Sequence, residues 1–174
     1  MSAFNLLLLL IALCLLSLAI ASISLAPWVP TWKKDLPRIF KLAALKPGET
    51  FFDLGCGNGK VAIYAVKNFN AQVIGLEMAV PLYLICRLRQ LFTINKKLIF
   101  KCKNFYKEDL SKANVVYVFG QAKTLGLKFT QKLSNELKPG ARVISYVFPI
   151  EGWIPKIIDK PSPKDIAIFL YEIH

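Results

Sequence analysis

Histidine is almost missing from this chain: among 174 residues the only one is the last, His174. A His-based triad and a His general base are excluded at once. Cysteine is scarce as well. Cys14, Cys56, Cys86 and Cys102 form no C-x-x-C pair, so neither a metal site nor a disulfide framework is expected. Charge is absent from Ser2 to Thr31; all 23 Lys and Arg and all 11 Asp and Glu lie from Lys33 onward, so the net charge of +12 belongs to residues 33–174. Dense basic runs and nucleic-acid motifs are also lacking, and no nucleic-acid partner is expected. The basic balance suits anionic headgroups, which contribute about 1 kcal/mol per well-placed basic residue. A generically basic surface is the plainer alternative.

The uncharged start is itself a signal. Leu6 to Ala26 is almost continuously apolar, and a bilayer core takes about 20 helical residues. Lys33, Lys34, Arg38 and Lys41 come next; the positive-inside rule puts the following domain on the cytoplasmic or matrix-equivalent side of a single-pass span. Trp28 and Trp32 fall where interfacial aromatics sit. The rival reading is a signal peptide cleaved at Ala19-Ile-Ala21 or within Ala21-Ser-Ile-Ser24. Against it, no Lys or Arg precedes the apolar stretch, and the stretch is longer than a usual h-region. The expected division is an anchor over 1–30 and one domain over 31–174, about 140 residues and enough for one core.

Asp53-Leu-Gly-Cys-Gly-Asn-Gly59 carries the chemistry. An apolar, strand-like run precedes it and Lys60 to Lys67 reads as a helix, so strand, glycine turn and helix N-terminus meet where a ligand can lie against bare backbone. Gly55, Gly57 and Gly59 permit tight turning and close approach. Asp53 suits a positively charged ligand, and Glu77, ending the next apolar run, suits the two hydroxyls of a ribose. A dinucleotide fingerprint counted from Gly55 needs glycine where Lys60 stands.

Around this motif the chain alternates. Helices are predicted over Asp35–Leu45, Gly59–Phe69, Pro81–Ile94 and Thr124–Leu137 from apolar spacing and flanking Pro-Gly stops. Strands are predicted over Thr50–Leu54, Ala71–Glu77, Leu98–Lys103, Asn114–Phe119, Arg142–Phe148 and Ile166–Ile173, with a short one near Trp153–Ile158. Such alternation argues an α/β fold, with a mostly parallel sheet covered on both faces.

The pattern D-x-G-x-G-x-G resembles the first motif of the class I S-adenosylmethionine (SAM) methyltransferases, which are Rossmann-like. Pro27-Trp-Val-Pro-Thr31, Lys46-Pro-Gly-Glu-Thr-Phe-Phe-Asp-Leu, Asn104-Phe-Tyr-Lys-Glu-Asp-Leu110, Val115-Val-Tyr-Val-Phe-Gly120, Leu137-Lys-Pro-Gly-Ala-Arg-Val-Ile-Ser145, Phe148-Pro and Trp153 narrow the likeness. Together they resemble the small anchored protein-lysine methyltransferases of the ATP synthase c-subunit and adenine nucleotide translocase, with their prokaryotic relatives. Met78-Ala-Val-Pro81 departs from an expected Asn-Pro pair. The resemblance implies SAM as cofactor, with Asp53, Gly55, Cys56, Gly57 and Gly59 at its methionine end. It implies Glu77 on the ribose, Met78 packed on the adenine, and Asn104 and Phe105 at the adenine edge. Tyr117 and Phe119 would line a channel for the lysine of a membrane-protein substrate, or be core aromatics by simple packing. Glu108 and Asp109 would draw that cation in, or serve as plain turn acids. A lipid or small-amine methyltransferase, and a SAM-binding assembly factor without catalysis, are the alternative functions.

Overall fold

The structure, a computed structural model, describes residues 2–24 and 28–174, with backbone alone for 21–24. Leu25 and Ala26 of the apolar run and Pro27 of the Pro-Trp-Val-Pro segment therefore lie outside the described residues. Helix α1 (Ala3–Ser24) contains an apolar window, Ala3–Ile20, with no residue of it buried. This is a candidate membrane span. A 3-10 turn, Lys33–Asp35, leads into α2 (Leu36–Ala43), which has Pro37 in its first turn and stops at Ala44 in the left-handed region.

Strand β1 (Thr50–Leu54) then begins the alternation. It is followed by α3 (Lys60–Phe69), β2 (Gln72–Glu77), α4 (Val80–Thr93), β3 (Leu98–Cys102), β4 (Val115–Val118), α5 (Leu127–Glu136), β5 (Arg142–Tyr146), β6 (Ile157–Asp159) and β7 (Ile168–Glu172). The seven strands form one sheet in the order β3-β2-β1-β4-β5-β7-β6, with β1 to β5 parallel and β7 antiparallel between β5 and β6. This is the Rossmann-like methyltransferase fold. Alternate residues of the central strands feed two cores. Phe51, Val115 and Ile144 pack under α2 and α3 on one face, while Phe52, Val116 and Val143 pack under α5 on the other. Each fully buried Leu or Phe contributes about 1.5–3 kcal/mol. The chain leaves β1 to one side toward β2 and β3, and returns on the other side as β4. The crevice between β1 and β4 is therefore the switch point.

Three predicted elements differ in detail. The helix read over Thr124–Leu137 is broken into a 3-10 turn, Ala122–Leu125, and α5, with Gly126 extended between them. The Leu125 carbonyl accepts Glu151 N–H at 3.1 Å instead of continuing a helical ladder. Strand β5 stops at Tyr146, before Phe148, because Val147 has φ +76° and turns the chain away. The short strand near Trp153–Ile158 begins only at Ile157.

Candidate functional site

The carboxyl end of β1 places Asp53 beside Tyr117 of β4 and Gly75 of β2 in the sheet register. The chain then turns through Gly55, Gly57 and Gly59, all at positive φ of 72°, 55° and 74°, conformations that cost other residues strain. Gly55 N–H and Cys56 N–H both donate to the Leu76 carbonyl at 2.9 Å, fastening the loop to β2. Glu77 adds a second fastening. Its Oε2 accepts Gly57 N–H at 2.8 Å and its Oε1 accepts Ala79 N–H at 2.8 Å, so one carboxylate holds the turns that follow β1 and β2.

Among the described residues no cation pairs with either acid. Asp53 is buried and accepts Ala62 N–H at 3.2 Å from the first turns of α3. Burial, with a smaller contribution from the charge of Glu77, pushes its carboxyl up to about 8. Glu77 is likewise pushed up by burial, against the pull of its backbone N–H partners.

A cavity of about 400 Å³ opens over this loop. It is lined by Asp53, Gly55, Cys56, Gly57, Glu77, Met78, Asn104, Phe105, Tyr117 and Phe119, so all but one of the residues expected at the cofactor or the lysine channel border one space. Gly59 lies behind it. A Cβ there would meet the Phe100 ring at 2.6 Å and Cys86 Sγ at 3.1 Å, so its smallness serves the packing of α3 against β3 and α4. Cys56 turns its thiol into the core, 3.9 Å from Cys86 Sγ, and burial pushes that thiol well up. Asn104 Oδ1 accepts Tyr106 N–H at 2.9 Å and caps a 3-10 turn, Phe105–Lys107. Phe105 is anchored edge-on to Phe129 at 5.9 Å. Phe119 stands edge-on to Tyr146 at 4.9 Å.

Glu108 and Asp109 do not serve the entrance in the way their charge suggests. Glu108 is bound by Lys101 at 2.5 Å and Lys103 at 2.6 Å, which hold its carboxyl below the usual range, and Asp109 caps Ser111 N–H at 2.8 Å. Neither borders the cavity.

Sequence reasoning missed the wall opposite the glycine loop. It is built by Trp28 to Thr31, with Leu18 of α1. Thr31 Oγ1 and Tyr117 Oη share a hydrogen bond of 2.8 Å, and Lys60 Nζ donates to the Thr31 carbonyl at 2.8 Å. Trp28 lies so close to the bare backbone of Gly57 that a Cβ there would meet its Nε1 at 2.6 Å. Trp28 thus packs on the loop; the sequence placed it at a membrane interface and within a family motif, with no part in the site. Val147, a β-branched residue in the left-handed region, sits at the rim beside Phe148. No local signal marked it.

The arrangement fits SAM. A glycine loop borders the cavity at the end of β1, a buried acid with no cation among the described residues suits the amino group of the methionine end, and a second acid stands one strand away.

The family described as the ANTKMT methyltransferase domain matches residues 53–157. A protein-lysine N-methyltransferase of Saccharolobus islandicus (strain REY15A) is 34% identical over 156 residues, covering 84% of this chain and 93% of that protein. The ATP synthase c-subunit lysine N-methyltransferase of Mus musculus is 27% identical over 130 residues, 74% of this chain and 51% of that protein. Among solved structures, an RNA methyltransferase from Salinibacter ruber in complex with S-adenosyl-L-homocysteine superposes with a TM-score of 0.78 at 25% identity, covering 83% of this chain and 94% of that one.

Proposed function

This chain belongs to the ANTKMT methyltransferase domain family and is a SAM-dependent methyltransferase, and from that premise we propose that it methylates a lysine of a membrane protein, with residues 1–30 as a single-pass anchor and 31–174 as the catalytic domain on the cytoplasmic or matrix-equivalent side. One observation carries the proposal. The apolar helix does not simply precede the domain: Ser17 Oγ accepts Val80 N–H at 2.8 Å, and Leu18 borders the same cavity as Asp53 and Glu77. The names of the relatives support a protein lysine as acceptor.

Bound SAM supplies an already activated methyl group, so the chain has to align and desolvate rather than activate. Asp53 would hold the methionine amino group, and Gly55 and Gly57 would let that end lie on backbone. Cys56 would contribute backbone from the same loop, and Gly59 the close packing behind it. The Glu77 carboxylate has acceptor capacity for a ribose hydroxyl beyond the backbone N–H groups it accepts. Met78, Asn104 and Phe105 would border the adenine. Tyr117, Phe119 and Phe148 give the remaining cavity an aromatic lining, which attracts a lysine ammonium by its ring faces and lowers its pKa by desolvation. Tyr117 does not act as a base. Burial pushes its phenol well above the ordinary value, and Thr31 occupies its oxygen. With Asp53 and Glu77 engaged by the cofactor in this reading, water carries the lysine proton away.

The test is transfer of radiolabelled methyl from SAM to membranes of a strain lacking the protein, using wild type and Asp53→Ala. A discrete protein band labelled by wild type only, yielding methyl-lysine on hydrolysis, is the expected result. Label in the lipid extract moves the acceptor to lipid. SAM binding without label on any membrane component supports a non-catalytic assembly factor.

A further inference from the structure

Helix α4 turns the wrong kind of face outward for a solvated helix. Only Leu82 and Cys86 of its residues are buried. Leu84, Leu88, Leu91 and Phe92 share one side at helical spacing and stand 57%, 57%, 69% and 79% exposed. On α5, by contrast, Leu127 at the first position is the one exposed large apolar residue, and the other exposed positions are Lys128, Gln131, Ser134 and Asn135, the ordinary polar face of a surface helix. An exposed apolar stripe bordered by polar residues marks an interaction surface.

Its continuity with α1 identifies the occupant. The N-terminal end of α4 is joined to α1 through Val80 N–H and Ser17 Oγ, close to the C-terminal end of the apolar window Ala3–Ile20. Two helices with exposed apolar surfaces thus meet at this contact. Arg87 is exposed at the border of the stripe and Lys96 just past the helix end. Long basic side chains at such a border keep their stems on apolar surface and their charge in water. That is the pattern of a helix lying in a lipid–water interface.

We propose that α4 lies in the interface of the membrane that α1 spans, with Leu84, Leu88, Leu91 and Phe92 in the acyl boundary and Arg87 at the headgroups. The proposal rests on α1 being a membrane span and goes beyond it. A tether alone leaves the domain free to tumble, whereas α1 and α4 together fix its orientation and keep the cavity bordered by Leu18 at the membrane surface.

The full-length protein is placed in vesicles of phosphatidylcholine with a minority of phosphatidylglycerol, and a nitroxide is attached at Leu88→Cys or Phe92→Cys in a Cys14→Ser, Cys102→Ser background. Power saturation then compares access of oxygen with access of a water-soluble nickel chelate. Lys128→Cys on α5 is the aqueous reference, and native Cys14, labelled in Cys102→Ser alone, reports on α1. A thermal shift with S-adenosyl-L-homocysteine checks that each variant is folded, and Leu84→Cys replaces one that is not. Nickel access at positions 88 and 92 is expected to fall several-fold below that at 128 and to approach that at Cys14. Nickel access equal to that at 128, with Cys14 still in lipid, overturns the proposal and leaves the anchor standing. Nickel access at Cys14 as well overturns the anchor reading and this proposal with it. Spin–spin broadening at 88 and 92 that disappears on dilution with unlabelled protein assigns the face to a second copy, and also overturns it.

Discussion

At the amino edge of the sheet, Glu49 meets Arg142 at 2.5 Å and accepts Lys46 N–H at 2.8 Å, and these partners hold its carboxyl below the usual range. Arg142 also donates to the carbonyls of Ala43 and Ala44 at 2.6 and 2.7 Å. At the carboxyl edge, Asp53 and Glu77 are more deeply buried, no cation among the described residues pairs with either, and both are pushed up. The hollow at the amino edge is of comparable volume, about 480 Å³ beside about 400 Å³. Its acid is nevertheless already neutralised. Volume therefore does not single out the site; a buried acid still lacking its cation does, because the protein carries that desolvation cost until a ligand relieves it.

The largest test of this contrast is Asp53→Asn, which keeps the shape and removes the charge. Affinity for S-adenosyl-L-homocysteine by calorimetry should fall about 100-fold, within the range for truncating one side of a buried charged pair. Thermal stability at pH 8 should hold or rise, since an isolated buried charge is gone. Undiminished affinity would show that the charge of Asp53 takes no part in holding the ligand.

Proton linkage sharpens it. Asp53 titrates near 8 when folded, against an ordinary value of 3.8. The folded state therefore binds more protons than the unfolded state between those values, and this group makes stability fall as pH rises from about 4 to 8. Ligand binding at pH 7, by favouring the carboxylate, should release a proton, seen as a dependence of binding heat on buffer ionisation enthalpy. Asp53→Asn should remove both effects. Glu49 has the opposite sign: its depressed pKa contributes stability above the unfolded value that is lost as pH falls through the folded one.

Glu49→Gln should accordingly cost about 1–2 kcal/mol of stability by denaturant titration, the scale of a charge-assisted hydrogen bond, while leaving KM for SAM unchanged. A raised KM would mean that the two edges are coupled. The smallest effect concerns the wall over the glycine loop. A double-mutant cycle of Thr31→Val and Tyr117→Phe should give a coupling of about 1 kcal/mol; zero coupling would detach Trp28–Thr31 from the site.

Much of the site was legible because its demands are local. Positive φ at Gly55 and Gly57 has to be met by the residues in place, and Asp53 and Glu77 close strands whose ends a parallel sheet gathers at one edge. The apolar helix α1 was legible for the same reason, as a run of one chemistry. The break at Gly126 was not, because the Leu125 carbonyl is drawn off by Glu151 in another segment. Nor were the spent charges of Glu108, whose cations stand on and just beyond a neighbouring strand.

Sequence by itself determined the alternation of strands and helices, the glycine loop with its two acids and the uncharged helix, since each is written within a few neighbouring residues as periodicity, backbone freedom or charge. Tertiary structure alone decided that Thr31 meets Tyr117 across 86 residues and that Arg38 meets Asp159 across 121. It also decided that the face of α4 left uncovered is the apolar one beside α1. These pairings follow from strand order and from which side of the sheet each helix crosses, and long-range geometry of that kind leaves no mark in local spacing.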